Sequence, residues 1–313
     1  MNTEQQAATQ QGDGNKPVVL ITGCSGLIGS RIAEALGDDY QLVGLDIQSP
    51  QEPKDFAAFE ECDLTDDDSV KSVLAKTAEN FGNRFASVIH LAAYYDFSGE
   101  PSPLYDELTV KGTQRLLREL RGYQVEQFLF SSSLLVMKPV PEGDHLREDS
   151  PTQAEWEYPE SKLATEQVIR NEHGPIPVVV ARIAGVYDEY CHSVPIGQQI
   201  RRIYEKDFES YFYPGNADHG QSFVHISDVV RFFEQAISYR DNLDDYEAFL
   251  VGEADLVTYG ELQEIIGELI HGKAWPTIRL PKVVAKAGAY VQDKLSGEEG
   301  GPFIKPWMID LAD

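Results

Sequence analysis

The sequence predicts an α/β protein built on a doubly wound parallel sheet. Three observations lead there. Apolar runs of four to eight residues alternate with amphipathic stretches over the first 185 residues. A glycine-punctuated turn joins the first run to the first helix. The length, 313 residues, accommodates one large α/β domain with a smaller cap.

The elements follow in order. Residues 17–22 (PVVLIT) read as a short buried strand, 23–29 as the glycine turn, and 27–37 as a helix ending near Gly37. Residues 41–46 (QLVGLD) and 58–63 (AFEECD) are the second and third strands. After Thr65 a helix is expected with 66–68 as its acidic first turn, because carboxylates favour the positive end of a helix. ASVIHLAA at 86–93 is the fourth strand, followed by a helix at about 103–121. EQFLFSSS is the fifth strand, a second long helix covers about 154–173, and IPVVVAR is the sixth strand. Beyond residue 185, loops such as YPGNADHGQ interrupt the pattern. The expected division is a nucleotide-binding part over 17–185, with 223–252 returning to it, and a small, mostly C-terminal substrate-binding cap from 186–222 and 253–313. Residues 1–16 are polar and Gln-rich, expected as a disordered tail, and lack the apolar centre of a signal peptide. FIKPWMIDLAD at the end reads either as a naturally short cap or as a fragment of a longer polypeptide.

Composition narrows the partners. With 52 acidic against 26 basic residues, the net charge is −26. That sign repels phosphate backbones and anionic lipid, so neither nucleic acid nor a membrane surface is an expected partner. No apolar run approaches the roughly 18–20 residues that span a bilayer. Cys24, Cys62 and Cys191 are an odd number, widely spaced and without a CxxC pair. They fit a reducing cytoplasmic compartment and offer no metal site.

The turn Thr22-Gly23-Cys24-Ser25-Gly26-Leu27-Ile28-Gly29 carries GxxGxxG at a strand-to-helix junction. The first glycine permits the tight turn, the second lets a pyrophosphate approach the backbone, and the third lets helix and strand pack closely. This is the Rossmann-type arrangement, and it assigns Gly23, Ser25, Gly26, Leu27, Ile28 and Gly29 to a dinucleotide. Asp46 closes the second strand, where a carboxylate accepts both adenosine ribose hydroxyls and repels a 2′-phosphate. No cation adjoins it in Ile47 or Gln48, which favours NAD over NADP. Asp63 and Leu64 follow at the third strand, where a carboxylate could accept from the adenine amino group. Leu91, Ala92 and Ala93 leave room for a cofactor across the strand ends, and Ile183 joins the set from the end of the sixth strand.

Tyr158 and Lys162 stand four apart in YPESK and share one helix face. A tyrosine with an ordinary pKa of about 10 is a poor base at neutral pH; a neighbouring ammonium favours its phenolate. Tyr158 would then exchange a proton with an alcohol or carbonyl, and Lys162 would also bond the nicotinamide ribose. Ser133 ends the Ser131-Ser132-Ser133 triplet of the fifth strand, at the sheet edge where such folds bind ligands, and could orient the reacting oxygen.

With these residues in hand, the chain resembles the extended short-chain dehydrogenase/reductases, the NAD-dependent epimerase/dehydratase family. TGCSGLIG, Asp46, DLTD, HLAA, VKGT, FSSS, YPESK and FVHISDV fall in family order between about Val18 and Val230. The resemblance implies a catalytic Ser133–Tyr158–Lys162 group, bound NAD, and a homodimer pairing the helices at about 103–121 and 154–173. It also implies structural roles for His90 and His225. Departures stand out. Thr109 replaces the family's usual Asn before V-x-G-T; Gly185 and Gln221 replace an Asn and an Arg that nucleotide-sugar members use; Leu134 and Leu135 replace the Asp-Glu pair of dehydratases. The leading expectation is therefore an NAD-dependent dehydrogenase or reductase of a secondary alcohol or carbonyl that lacks a nucleotide diphosphate. A nucleotide-sugar epimerase with retained NAD is the alternative. A non-catalytic NAD-sensing or scaffold protein is a third, against which intact Tyr158 and Lys162 argue.

Overall fold

The computed structural model describes residues 16–96, 101–141 and 144–281. The expected tail, except its last residue Lys16, and the expected end of the cap lie outside these residues. In chain order the first elements are β1 (Val18–Thr22), α1 (Leu27–Leu36), β2 (Gln41–Asp46), β3 (Ala58–Glu61), α2 (Asp67–Phe81), β4 (Arg84–Phe85) and β5 (Ser87–His90). A π-helical turn (Tyr105–Val110) leads into α3 (Lys111–Leu120). Then come β6 (Gln124–Val125), β7 (Phe128–Ser133), α4 (Glu157–Glu172), β8 (Val178–Ile183), β9 (Gly185–Tyr187) and α5 (Val194–Glu205). The last are β10 (Phe212–Pro214), β11 (Phe223–His225), α6 (Ile226–Ser238), β12 (Tyr246–Val251), α7 (Tyr259–His271) and β13 (Ile278–Leu280).

Seven strands form one sheet in the order β12-β8-β7-β5-β1-β2-β3. Pairing is parallel from β7 through β5, β1 and β2 to β3. This is a Rossmann-type α/β fold. The order reverses between β1 and β5, so the carboxyl ends of these two strands mark the switch point at which such sheets bind ligands. Buried on both faces, the strands need continuous apolar runs, and β1 and β8 are buried at every position. Leu20, Val43, Val88, Phe128 and Val180 meet Leu74, Leu116 and Ile169 of the helices in one core. Each such side chain contributes about 1.5–3 kcal/mol on burial.

Several boundaries differ from expectation. β3 stops at Glu61, two residues early, because Asp63 turns the chain: its carboxylate accepts from Thr65 N at 2.8 Å. Asp66 caps α2, accepting from Asp68 N at 2.9 Å. The expected helix at about 103–121 opens with a wide turn. There the Thr109 carbonyl accepts from the Thr113 hydroxyl at 2.6 Å and the Thr165 hydroxyl at 3.3 Å, so side chains intrude on the helical ladder. The short pair β4 and β6 was not foreseen.

The chain separates into two compact units. Of the described residues, the first comprises 16–96, 101–138, 147–182 and 227–250; the second comprises 139–141, 144–146, 183–226 and 251–281. Within the second, β9 pairs with β11 and β10 with β13. Its small core gathers Ile203, Ile266 and Trp275, whose indole donates to the Ser210 carbonyl at 3.1 Å. Thr258 and Glu261 cap α7 reciprocally.

Candidate active site

The glycine turn is shaped by backbone contacts that exclude side chains. Gly23 has φ +69°, and a Cβ there would lie 2.7 Å from the Ala92 amide nitrogen, just past the end of β5. A Cβ on Gly29 would lie 2.4 Å from the Gly23 carbonyl oxygen. Gly26 differs: its Cβ would meet only the Gly23 carbonyl, at 3.4 Å. Gly26 therefore preserves open space in front of α1, whose first turn carries no side-chain cap. Uncapped N–H groups behind an open glycine suit a pyrophosphate. The residues present fit a dinucleotide.

Asp46 sits at the end of β2 beside this turn. Its carboxylate accepts from the backbone of Ser25 at 3.0 Å and of Gln48 at 3.2 Å. The Ser25 hydroxyl donates to the Gln48 carbonyl and closes the loop. Each carboxylate oxygen retains acceptor capacity for a ribose hydroxyl. At the end of β5, the Leu91 amide donates to the Thr22 carbonyl at 3.1 Å, and Ala92 N donates to the Thr22 hydroxyl at 3.3 Å. Leu64 is buried, and Ile183 is buried at the end of β8.

Beneath this floor His90 is fully buried, with its ring nitrogens 2.7 Å from the Thr22 hydroxyl and 2.8 Å from that of Thr113. Burial, reinforced by the Lys162 charge, pushes the imidazole down to about 3, so it is neutral at physiological pH.

β7 distributes its three serines. The Ser131 carbonyl accepts from Lys162 Nζ at 2.7 Å. The Ser132 hydroxyl donates to Glu166 at 2.5 Å. Ser133 accepts from Leu135 N at 3.2 Å and also interacts with the Tyr158 phenol. Tyr158 and Lys162 rise from one face of α4, with Nζ 5.9 Å from the Tyr158 ring centroid and 4.9 Å from that of Phe130. Burial pushes the Tyr158 phenol up to about 12, with Ser133 working against the rise. Burial pulls the Lys162 ammonium down to about 7, and nearby Glu166 opposes that fall.

Further residues surround this group, one of them, Thr109, already marked by the sequence. Tyr95, 54% exposed, packs edge-on against Tyr158 with centroids 4.9 Å apart. Thr109 is buried, and its hydroxyl accepts from Tyr94 N at 2.9 Å. Glu166 and Arg182 form a buried ion pair at 2.8 Å. The spacing of Glu166, four residues after Lys162 on one helix, was a legible signal; the aromatic pair following HLAA was another.

In the second unit, the two departures stand together. A Cβ on Gly185 would lie 2.9 Å from the Phe223 ring and 3.1 Å from the Gln221 side-chain amide. The long Gln221 side chain thus fills the space a larger residue at 185 would need. His225 contacts Glu189 at 3.4 Å and packs edge-on against Tyr187.

The profile of the NAD dependent epimerase/dehydratase family matches residues 19–252. A UDP-glucose 4-epimerase of Bacillus subtilis is 34% identical over 169 residues, 50% of this chain and 48% of that protein. The match thus spans about half the length of that relative. A UDP-glucose 4-epimerase of Erwinia amylovora is 26% identical over 332 residues, covering 94% of this chain and 90% of that one. Among solved structures, the Thermus thermophilus UDP-glucose 4-epimerase in complex with NAD is 25% identical, with a TM-score of 0.67, covering 84% of this chain and 86% of that one.

Proposed function

This chain belongs to the NAD-dependent epimerase/dehydratase family, and on that premise we propose that it moves hydride reversibly between NAD and a secondary alcohol or carbonyl carbon. One observation carries the reading. Lys162 is bonded to the carbonyl of Ser131, two residues before Ser133, while Tyr158, one helical turn earlier, interacts with Ser133 itself. NAD, when bound, supplies the hydride acceptor and donor. The turn residues Gly23, Ser25, Gly26, Leu27, Ile28 and Gly29 receive its pyrophosphate. Asp46 takes the adenosine ribose, and Asp63 and Leu64 flank the adenine. Leu91, Ala92, Ala93 and Ile183 complete the set.

Tyr158 exchanges the proton at the reacting oxygen. As a phenol it donates to a carbonyl; as a phenolate it accepts from an alcohol. Burial keeps it protonated, so alcohol oxidation requires positive charge beside it, which Lys162 in its ammonium form provides. The Ser133 hydroxyl orients the same oxygen. The first unit serves as the NAD-binding part and the second as the substrate cap. We further infer a cytoplasmic homodimer joined through the helices at about 103–121 and 154–173; no described helix is long and apolar enough to cross a membrane.

Mixing NAD-loaded protein with a panel of alcohols, carbonyl compounds and nucleotide sugars, and following NADH fluorescence, tests the reading. Turnover that survives Tyr158→Phe unchanged overturns it. A second reading, nucleotide-sugar 4-epimerase, is favoured by the names of the relatives. Gln221 and Gly185 weigh against it, because neither supplies a cation to a diphosphate. One lost charge-assisted hydrogen bond weakens binding by roughly 10- to 150-fold. UDP-glucose is therefore expected to bind above about 1 mM. Micromolar binding by calorimetry would make the epimerase reading the better one.

A further inference from the structure

We propose that Glu166 is a positioning residue for the Lys162 ammonium, acting through the end of β7 and held away from the lysine by Arg182. This rests on the Ser133–Tyr158–Lys162 reading. A glutamate one helical turn beyond a lysine would ordinarily pair with it directly. Here both carboxylate oxygens are otherwise engaged. One accepts from the Ser132 hydroxyl at 2.5 Å and from Arg182 Nε at 3.1 Å; the other accepts from Arg182 Nη2 at 2.8 Å. Arg182 is itself anchored, donating to the Glu148 carbonyl at 3.1 Å.

The consequence is geometric. Ser132 lies between the residue whose carbonyl receives Lys162 and the residue that interacts with Tyr158. Fixing its side chain to α4 fixes the strand end under the lysine. Ser132, Lys162, Glu166 and Arg182 are all buried, so each bond is made in a low-dielectric setting where loose ends are costly. Lys162 keeps the benefit of a nearby negative charge without being captured by it. Its remaining hydrogens stay available for a second acceptor. The other ionisable groups around the ammonium do not replace Glu166. His90, from β5, is neutral; Tyr158, on α4, is a protonated phenol; Arg182, on β8, is positive.

The test reads Lys162 directly. Protein carrying lysine labelled with 13C at Cε is titrated by NMR without cofactor, and the Lys162 signal is assigned by its loss in Lys162→Arg. Glu166→Gln is expected to lower the Lys162 midpoint by about one pH unit, a tenfold change in its protonation equilibrium. Ser132→Ala keeps the Glu166–Arg182 pair and is expected to lower it by a smaller amount. An unchanged midpoint in folded Glu166→Gln overturns the proposal. Should that variant not fold, an unchanged midpoint in Ser132→Ala does so. The Tyr158→Phe turnover test is separate, so failure of the catalytic reading is distinguishable from failure of this one.

Discussion

The glycine turn after β1 and the serine-rich end of β7 lie on the same sheet edge but are built by opposite means. The turn is made by leaving side chains out: Gly23 and Gly29 are hemmed by backbone, and Asp46 is held by backbone amides. The β7 site is made by packing titratable side chains in, with Lys162, Glu166 and Arg182 buried and bonded to one another's neighbours. The first should therefore respond most to a methyl group added at Gly23 or Gly29, and the second to pH.

The sharpest way to break this contrast is Tyr158→Phe. It removes one oxygen from the β7 site, and turnover should fall by about 10²- to 10⁴-fold, the usual worth of a general acid–base group. NAD affinity should stay within about threefold, because the turn is untouched. An equal loss of binding and turnover would show that the two regions are not separable.

The pH dependence comes next. His90 has its pKa lowered from an ordinary 6.5 to about 3. Between these values the unfolded chain binds a proton that the folded one refuses, so stability falls as pH drops through that window. The loss is on the order of 4 kcal/mol by pH 3. Comparing denaturant titrations of the protein and of His90→Asn isolates this contribution from that of the carboxylates. Lys162 acts at the other end. Its pKa falls from 10.5 to about 7, so the unfolded state again holds the extra proton, and stability without cofactor rises with pH from about 7. Above pH 9 the buried thiols of Cys24 and Cys62, raised to about 12 and about 11, ionise only on unfolding and reverse the trend. Lys162→Met should remove the rise between pH 7 and 9.

Methyl insertion sharpens the comparison from the other side. Gly29→Ala drives a Cβ into the Gly23 carbonyl and should cost about 1–3 kcal/mol of stability, read as a lower unfolding midpoint in urea. Gly26→Ala has open space and should leave that midpoint unchanged while weakening NAD binding in calorimetry. The smallest expected effect is at Asp46. NAD should bind at least about tenfold more tightly than NADP, and Asp46→Ala should narrow that gap. Tighter binding of NADP by the unmodified protein would contradict the assignment.

The turn was the more legible region. Its shape depends on which residues lack a Cβ and where a strand ends, and both are local properties. Gly23, Gly26, Gly29 and Asp46 could be named from spacing alone. The β7 site was legible only in part. Ser133, Tyr158 and Lys162 could be named, but the triplet gave no reason to divide Ser131, Ser132 and Ser133 among three different partners. The approach of α4, which carries Lys162, Glu166 and Tyr158 to successive residues of β7, makes that division. Likewise, Gly185 and Gln221 read as two separate losses in the sequence, whereas the second unit brings one against the other.

By itself, then, the sequence determined the parallel α/β sheet, the glycine turn and the Tyr158–Lys162 helix face, because apolar period, glycine placement and i,i+4 spacing act over a few residues. Tertiary structure alone decided that Glu166 bonds Ser132 and Arg182 instead of Lys162. Those partners come from β7 and β8, and burial makes the choice among them energetically decisive.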